Sequence, residues 1–415
     1  MECLGSPEGG SLMKGKGNNQ PSAYVIGASL NALGVVRSLG RRGIRVRTIQ
    51  RRKDEMPSWS RFSTPIFIEP NVTQSEYVGA LIVRAKQDGD RPVLIPTGDV
   101  DIKFMSDNRK VLQEHFRFVL SDASVLDALL DKDQFYHVAS KLNLTVPKTY
   151  AATDIEQVGE ISRQITFPCI IKPRYSPTWQ NDRIARALRY LKVLECSSPE
   201  ELLTRYSSLD TMAQDVVIQE MIPGGEDSLH DVYVYIGPGG SSLGTFCLQK
   251  LRTSPIEGRG GGTLVQSTHH AKLVDTSVPL LEAIRYRGPA AVCFKQHAET
   301  GEYVVIEVNA RLSLHHSLAA YCGIDYAYLL YLDSIGAFDL KPQLAYPSGV
   351  KWIAPLGDAR SFLQHRKNGL SFWRWLSSYR GRKTFADLSW NDPWPFVRQC
   401  IALAPSVIRK IGLRS

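Results

Sequence analysis

The 415-residue sequence lacks the paired cysteines, long apolar runs and single-signed charge that mark the specialised protein classes. Its seven cysteines, Cys3, Cys169, Cys196, Cys247, Cys293, Cys322 and Cys400, are scattered without a CxxC pair. That argues against both a zinc site and a disulfide framework, and it fits a reducing, cytoplasmic setting. Nowhere do about 18 uncharged apolar residues run together, so no membrane-spanning helix is expected. The opening MECLGSPEGGSLMKGKGNNQPS has no apolar segment of the kind a secretory signal needs. No segment repeats. With 43% hydrophobic and 22% charged residues the composition is that of a globular protein. At about 150 residues per domain the length allows roughly two or three domains.

Charge is unevenly spread. The net charge is +9, yet residues 1–53 carry ten basic against two acidic residues and residues 360–415 carry eleven against two, which leaves −8 over 54–359. A nucleic-acid binder is basic over its working face, so this division points away from nucleic acid as a partner. The tail combines its cations with Phe372, Trp373, Trp375, Trp390, Trp394 and Phe396, and ends in an amphipathic run that Pro405 should kink. Residues 361–415 are therefore a candidate for peripheral contact with an anionic membrane surface; the alternative is that the tryptophans pack against the body.

Residues 1–20, rich in Gly, Ser and Asn, read as a disordered leader. From Ala23 a short buried strand, a turn at Gly27-Ala28-Ser29, a helix over Leu30 to Leu39 and an alternating strand through Ile44, Val46 and Thr48 make a βαβ unit with a parallel sheet. Val93 to Pro96 is a later parallel strand. Thr97-Gly98-Asp99 follows at its C-terminal edge, where α/β folds place ligands. The first turn does not spell GxGxxG, and the second strand runs into Gln50-Arg51-Arg52-Lys53 rather than an acid. Both features favour an anion held by backbone N–H groups at Gly27–Ser29, or a purely structural turn, over a dinucleotide. Further on, an amphipathic helix opens at Asp131-Lys132 and a buried strand over Phe167 to Pro173 delivers Lys172. Another strand, Val216 to Ile222, is broken by Pro223-Gly224-Gly225 and followed by Glu226. Val232–Ile236 and Leu243–Leu251 make a strand pair, and residues 291–311 form a long hairpin turning at Glu299–Glu302.

On that hairpin a two-residue period places Val305, Glu307 and Asn309 on one face and Val304, Ile306 and Val308 on the other. Glu307 and Asn309 are then about 7 Å apart along the strand. Hard oxygen donors so placed either suit Mg²⁺ bridging phosphates or form a solvated strand face, and Arg311 adds a planar fork for phosphate or carboxylate. A lysine ending a buried strand (Lys172) and an acid past a hinge strand (Glu226) supply what a nucleotide clamp needs: a cation for phosphates and a carboxylate for ribose hydroxyls. The glycine-rich segment Gly258 to Thr263 suits a mobile loop over such a site, or a plain connection. His315 and His316 are adjacent, and neighbours on a helix point about 100° apart. Substrate contact or helix packing is expected of them rather than a shared metal.

Taken in order, GAS at 27–29, PTGD, DKDQFYHVASKLNLTVPKT, IIKPRYS, VVIQEMIPGGED, the LQKLR strand with GRGGGT, and IEVNARLSLHHSLA resemble the ATP-grasp superfamily of carboxylate–amine ligases. The likeness is greatest to its ATP-grasp carboligase-like members and spans about residues 22–335. It implies an α/β and α+β architecture: a Rossmann-like preATP-grasp domain over 21–120, a two-lobed ATP-grasp domain over 121–335 and a basic aromatic C-terminal extension over 336–415. Residue by residue, it implies that Lys132 and Lys172 bind ATP, with Lys172 on the phosphates. Gln219, Glu220 and Ile222 line the adenine hinge, and Glu226 holds the ribose. Lys250 and Arg252 point toward phosphate or acyl group, Glu307 and Asn309 bind Mg²⁺, and Arg311 lies near the transferred group. Gly27, Ser29, Thr97 and Asp99 lie near the substrate. The implied cofactors are ATP and Mg²⁺, and the implied partners are a small carboxylate, an amine and a second copy in a homodimer. The implied reaction passes through an acyl phosphate to an amide, in the cytoplasm.

One position departs from the family pattern. Fourteen residues before Glu307, where the resemblance implies a second metal-binding acid, stands Cys293, and no carboxylate replaces it within the VCFKQH run. A thiol is a poor ligand for Mg²⁺. A single cation on Glu307 and Asn309, help from His297, or an ATP-binding but catalytically impaired regulatory protein are the alternatives this leaves open. A dinucleotide oxidoreductase built on the first βαβ unit is a third reading.

Overall fold

The computed structural model describes residues 20–52, 55–89, 91–180, 182–188, 191, 193–255, 261–337 and 345–412, with the backbone alone at 176, 180, 182 and 404–412. The expected leader (apart from residue 20), Lys53 and residues 258–260 of the glycine-rich segment lie outside them.

The first sheet is parallel, in the order β3-β2-β1-β4, from β1 (Ala23–Ile26), β2 (Val46–Gln50), β3 (Ser63–Phe67) and β4 (Val93–Pro96). All four residues of β1 and of β4 are buried, as parallel strands covered on both faces are. Between β1 and β2 runs the helix Leu30–Gly40, capped by Ser29, whose Oγ accepts the Asn31 N–H. The turn into that helix requires glycine at position 27: φ is +126°, and a Cβ there would meet Thr97 Oγ1 at 2.0 Å.

A second, antiparallel sheet has the order β5-β8-β6-β7, from β5 (Thr149–Ala152), β6 (Cys169–Pro173), β7 (Leu194–Cys196) and β8 (Val216–Glu220). The third has seven strands in the order β13-β12-β9-β10-β11-β14-β15. It is built from β9 (Leu229–Ile236), β10 (Ser242–Ser254), β11 (Gly261–Thr268), β12 (Gly288–Gln296), β13 (Tyr303–Asn309), β14 (Lys351–Ile353) and β15 (Lys383–Phe385). Gly261 to Thr263, read from the sequence as part of a loop, open β11 instead.

The residues beyond 335 are integral to this body. β14 pairs with β11 and β15 with β14, so two late segments extend the large sheet. Trp352, Val350 and Ala386 share one apolar core with Val35 and Leu39 of the first helix and with Tyr233 and Phe246 of the large sheet. The tryptophans of this region divide: Trp375 stacks on Phe362 and donates to Asp358, whereas Trp373, Trp390 and Trp394 are exposed. The last helix, Trp394–Gly412, runs on through Pro405. No helix among the described residues is long and apolar enough to cross a membrane.

Three arginines near the basic start of the chain, Arg37, Arg42 and Arg47, pair with acids of the fold. Arg47 grips Asp88 and Arg42 pairs with Asp325 at 2.8 Å. Arg37 is buried, and its guanidinium donates to Asp392 Oδ2 (2.8 Å) and to the carbonyls of Ala386, Asp387 and Asp392. Asp392, fully buried, also accepts from Ser60 and from the Arg61 N–H. Removing one partner of a buried ion pair strands the other charge. Asp392→Ala should therefore lower unfolding free energy by about 3 kcal/mol in a denaturant titration; a change below about 1 kcal/mol, the size of an exposed pair, would exclude the anchoring role.

Candidate active site

The site is built on three neighbouring strands. Register places Asp231 of β9 opposite Cys293 of β12, and Cys293 opposite Glu307 of β13. Cross-strand partners share a face, so the three side chains form one row. The opposite faces of the same strands carry Val232, Phe294 and Val308 into a core. Strand period alone does not describe β13, because the pairing skips Ile306 between Glu307 and Val305. This bulge turns Val305 into the core beside Val308, so it does not share the face of Glu307 as simple alternation predicts.

Cations surround the row. Lys250, two residues past the partner of Asp231 on β10, reaches Asp231 Oδ1 at 3.1 Å. Burial alone would depress Lys250, but the Asp231 carboxylate outweighs it and holds the ammonium charged. Lys172 is buried at the end of β6 with its Nζ donating to Gln219 Oε1 (2.9 Å), and burial lowers it to about 8 against the pull of Glu307. Lys132 is lowered by burial too, opposed by Glu307 and Asp99. Its place beside Lys172 follows from local pairing: the Lys132 N–H donates to Arg174 O, and the Arg174 guanidinium returns to Asp131. Arg311 donates to Asp99 Oδ1 (2.6 Å) and Asn309 Oδ1 (3.0 Å). Cys293 is buried, and burial with the nearby Asp231 carboxylate pushes its thiol well up, so it is neutral.

Arg311 joins this row to the C-terminal edge of the parallel sheet. Asn31 reinforces the joint: its buried Nδ2 donates to both Thr97 O (2.8 Å) and Leu312 O (2.6 Å). Thr97 is buried with its hydroxyl on Ile26 O, and Ser29 caps the adjoining helix. Asp101, raised to about 6 by burial, accepts the Thr97 N–H. Gly27, Ser29, Thr97 and Asp99 thus collect at one edge, against Arg311. A cavity between Gly40, Arg45, Arg47, Arg61 and Phe62 sits at the other end of these strands and is remote from the row.

The clamp residues lie on the second sheet and beyond it. Gln219 bridges Lys172 and Thr149, Ile222 is buried, and the Glu220 carboxylate turns to the Lys148 N–H. Glu226 accepts from the Thr253 hydroxyl and from His365 Nε2 at 2.8 Å, whose other ring nitrogen faces Ser361 O. His365 carried no signal in the sequence, standing far from every motif.

Some expected residues go elsewhere. Arg252 does not join Lys250: a bulge at Leu251 turns it away, into a bidentate pair with the fully buried Asp358 at 2.9 and 2.8 Å. Asp358 also accepts from Thr263, Trp375 and Tyr379. His297 caps the hairpin turn, its Nδ1 accepting the N–H groups of Glu299 and Thr300, so it does not stand in for the missing acid. His315 and His316 are buried packing residues on Gly262 O and Asn31 O, and burial lowers both, His315 to about 4. The missed residue with a readable signal is Asp231, the one acid in the apolar run Leu229–Ile236.

The donors suit a hard cation carried by phosphates. Glu307, Asn309 and Asp231 offer oxygens, Asp231 Oδ1 is buried without a hydrogen bond, and only the thiol is mismatched. Among the described residues no three His, Cys, Asp or Glu side chains converge to enclose a metal unaided. Mg²⁺, which usually keeps waters and takes phosphate oxygens, does not require such a cage.

The family profile "Carbamoyl-phosphate synthase L chain, ATP binding domain" matches residues 252–331. The chain is 25% identical over 263 residues to the N-terminal section of a carbamoyl phosphate synthase large chain from Methanopyrus kandleri, covering 61% of this chain and 44% of that one. It is 23% identical over 252 residues to a D-aspartate ligase from Enterococcus faecium, covering 60% and 58%. The chain thus spans about half the length of the curated relatives it matches. Among solved structures, the biotin carboxylase domain of Hydrogenobacter thermophilus 2-oxoglutarate carboxylase, in complex with MgADP, ADP and bicarbonate, superposes with a TM-score of 0.59 at 15% identity over 77% of this chain and 70% of that one. An L-amino acid ligase from Bacillus licheniformis gives 0.57 at 12% over 79% and 78%. At such identities the likeness shows a common fold.

The geometry around Arg252 is that of a structural pair. Arg252→Ala should cost about 3 kcal/mol of stability by leaving Asp358 buried and unpaired, read as a lower denaturation midpoint. An unchanged midpoint would return Arg252 to the site.

Proposed function

We propose that the chain belongs with the ATP-grasp carboxylate–amine ligases and is itself an ATP-dependent, C–N bond-forming ligase. A substrate carboxylate takes the γ-phosphoryl group of ATP, giving an acyl phosphate and ADP; an amine then attacks the acyl carbon, phosphate leaves, and an amide forms. The observation that carries the reading is the gathering of Lys132, Lys172, Lys250 and Arg311 around Glu307 at the edge of the parallel sheet. Phosphoryl transfer needs little covalent help from the protein and much positioning and charge neutralisation, which these groups supply.

In this reading the domains run 21–120, 121–335 and 336–415. Lys172 and Lys132 take the phosphates, Gln219, Ile222 and the backbone of Glu220 line the adenine, and Glu226 takes the ribose. Glu307 and Asn309 hold Mg²⁺, which when bound neutralises phosphate charge and aligns the triphosphate. Arg311, steadied by Asp99, orients the group receiving the phosphoryl, and the crevice of Gly27, Ser29, Thr97 and Asp99 takes a small carboxylate or amine. Two relatives bear names that fit such substrates, a D-aspartate ligase and an L-amino acid ligase. A cytoplasmic homodimer completes the reading, with peripheral membrane contact supported by the exposed Trp373, Trp390 and Trp394.

A phosphate-release screen over panels of carboxylates and amines with MgATP tests the activity. Turnover dependent on both substrates is expected, and Glu307→Gln should reduce it at least about 100-fold. A neutral thiol at Cys293 favours one competitor, an impaired ATP-binding regulator. ATP-induced thermal stabilisation with neither ADP nor phosphate released would select it.

A second prediction concerns pH. Lys172, lowered to about 8 from 10.5, loses its charge as pH rises through about 8, and with it part of its hold on phosphate. ATP affinity, followed by calorimetric titration, should therefore fall above about pH 8, and Lys172→Arg, charged throughout, should flatten that limb. An equal fall in the arginine variant would remove Lys172 from the phosphate site.

A further inference from the structure

Cys293 leaves the hairpin one carboxylate short, and the structure places a carboxylate one strand further on, in register. We propose that Asp231 completes the cation and triphosphate site in place of the acid missing at Cys293, an inference that rests on the ATP-binding reading above. Four observations converge. Asp231, Cys293 and Glu307 form a continuous cross-strand row on β9, β12 and β13. Asp231 is 3% exposed, and its Oδ1 is paired with Lys250 Nζ at 3.1 Å without a hydrogen bond of good geometry. It is the one acid of a strand whose other residues are apolar, aromatic or histidine. The residue between the two acids is small and uncharged, so nothing in the row separates their fields.

A hard divalent cation on a nucleoside triphosphate is the ligand this arrangement fits. The two carboxylates offer oxygens, the phosphates and retained waters fill the remaining positions, and Lys250 stands within reach of the same phosphates. The row differs from a hairpin with acids on both its strands in that the second charge comes from outside the hairpin, across a neutral thiol.

The test uses the full chain, Mn²⁺ as an EPR probe, and the non-hydrolysable analogue AMPPNP. Asp231→Asn should weaken Mn²⁺ binding in the AMPPNP complex about 10-fold or more, with the thermal midpoint recorded to confirm folding. Cys293→Glu alone should tighten it, and the double variant Asp231→Asn/Cys293→Glu should recover most of the loss, because the charge is returned to the same row. Metal-free AMPPNP binding should be unchanged or tighter in Asp231→Asn, since Lys250 is released to the phosphates. A role confined to positioning Lys250 predicts the reverse: weaker metal-free binding, and no rescue by Cys293→Glu. Wild-type Mn²⁺ affinity in Asp231→Asn, or a double variant no better than the single, overturns the proposal while leaving nucleotide binding intact. A wild-type protein that binds neither AMPPNP nor Mn²⁺ overturns the underlying reading, and this inference with it.

Discussion

Crowding of like charge is the constraint on which the site depends. Lys132, Lys172, Lys250 and Arg311 all act on Glu307, in surroundings where burial works against every one of them. At an effective dielectric near 20, two unit charges about 4 Å apart interact by about 4 kcal/mol, so such a group cannot assemble without compensation. The fold supplies it unevenly. Lys250 and Arg311 each have a paired acid, Asp231 and Asp99, and stay charged, whereas the Lys172 ammonium donates to the neutral amide of Gln219 and burial lowers it to about 8. A buried lysine held by a neutral amide gains from a phosphate. That is a physical reason to expect a polyanion at this place, independent of any likeness to other proteins.

The joint between the parallel sheet and the hairpin end follows from the same balance. Asp99 opens a helix at the C-terminal edge of β4, and its carboxylate fixes the Arg311 fork. Asn31, from the first helix, ties the carbonyls of Thr97 and Leu312 together with one buried amide. Small-molecule crevices in α/β proteins lie at this edge. Here the edge abuts the row of Asp231, Cys293 and Glu307, so a carboxylate held near Gly27 and Thr97 would lie beside Arg311.

Much of this was legible in the sequence because it depends on period and punctuation. The βαβ unit, the strand delivering Lys172 and the hairpin carrying Glu307 and Asn309 all follow from apolar runs bounded by Gly, Pro and Asn. What stayed hidden depends on events that period does not encode. Single-residue bulges at Ile306 and Leu251 moved Val305 and Arg252 to the other face of their strands. The pairing of β9 with β12 brought Asp231 beside Cys293 across about 60 residues of chain, and no local pattern specifies which strands become neighbours. The late part of the chain was legible only in part, its Trp373, Trp390 and Trp394 being exposed as composition suggests. What composition did not show is that β15 extends the large sheet from within the tail, that Trp375 packs on Phe362, and that β14 and Trp352 just before it belong to the sheet and its core.

That integration gives the last segment a bearing on the chemistry. Asp358 and His365 stand on one helix, Pro355–His365. The first locks Arg252 of β10, and the second meets Glu226, the acid past the hinge strand, at 2.8 Å. Residues late in the chain therefore hold both the strand that presents Lys250 and the acid assigned to the ribose. The opposite end of the segment grips Arg37 of the first helix through Asp392. A displacement of the segment would reach the first helix, the strand of Lys250 and Glu226 together, because each is tied to it by a buried or half-buried polar contact rather than by loosely packed surface. Cations of the tail such as Arg366, Lys367 and Arg374 are exposed, whereas the charges that tie this late part of the chain to the framework are the buried acids Asp358 and Asp392.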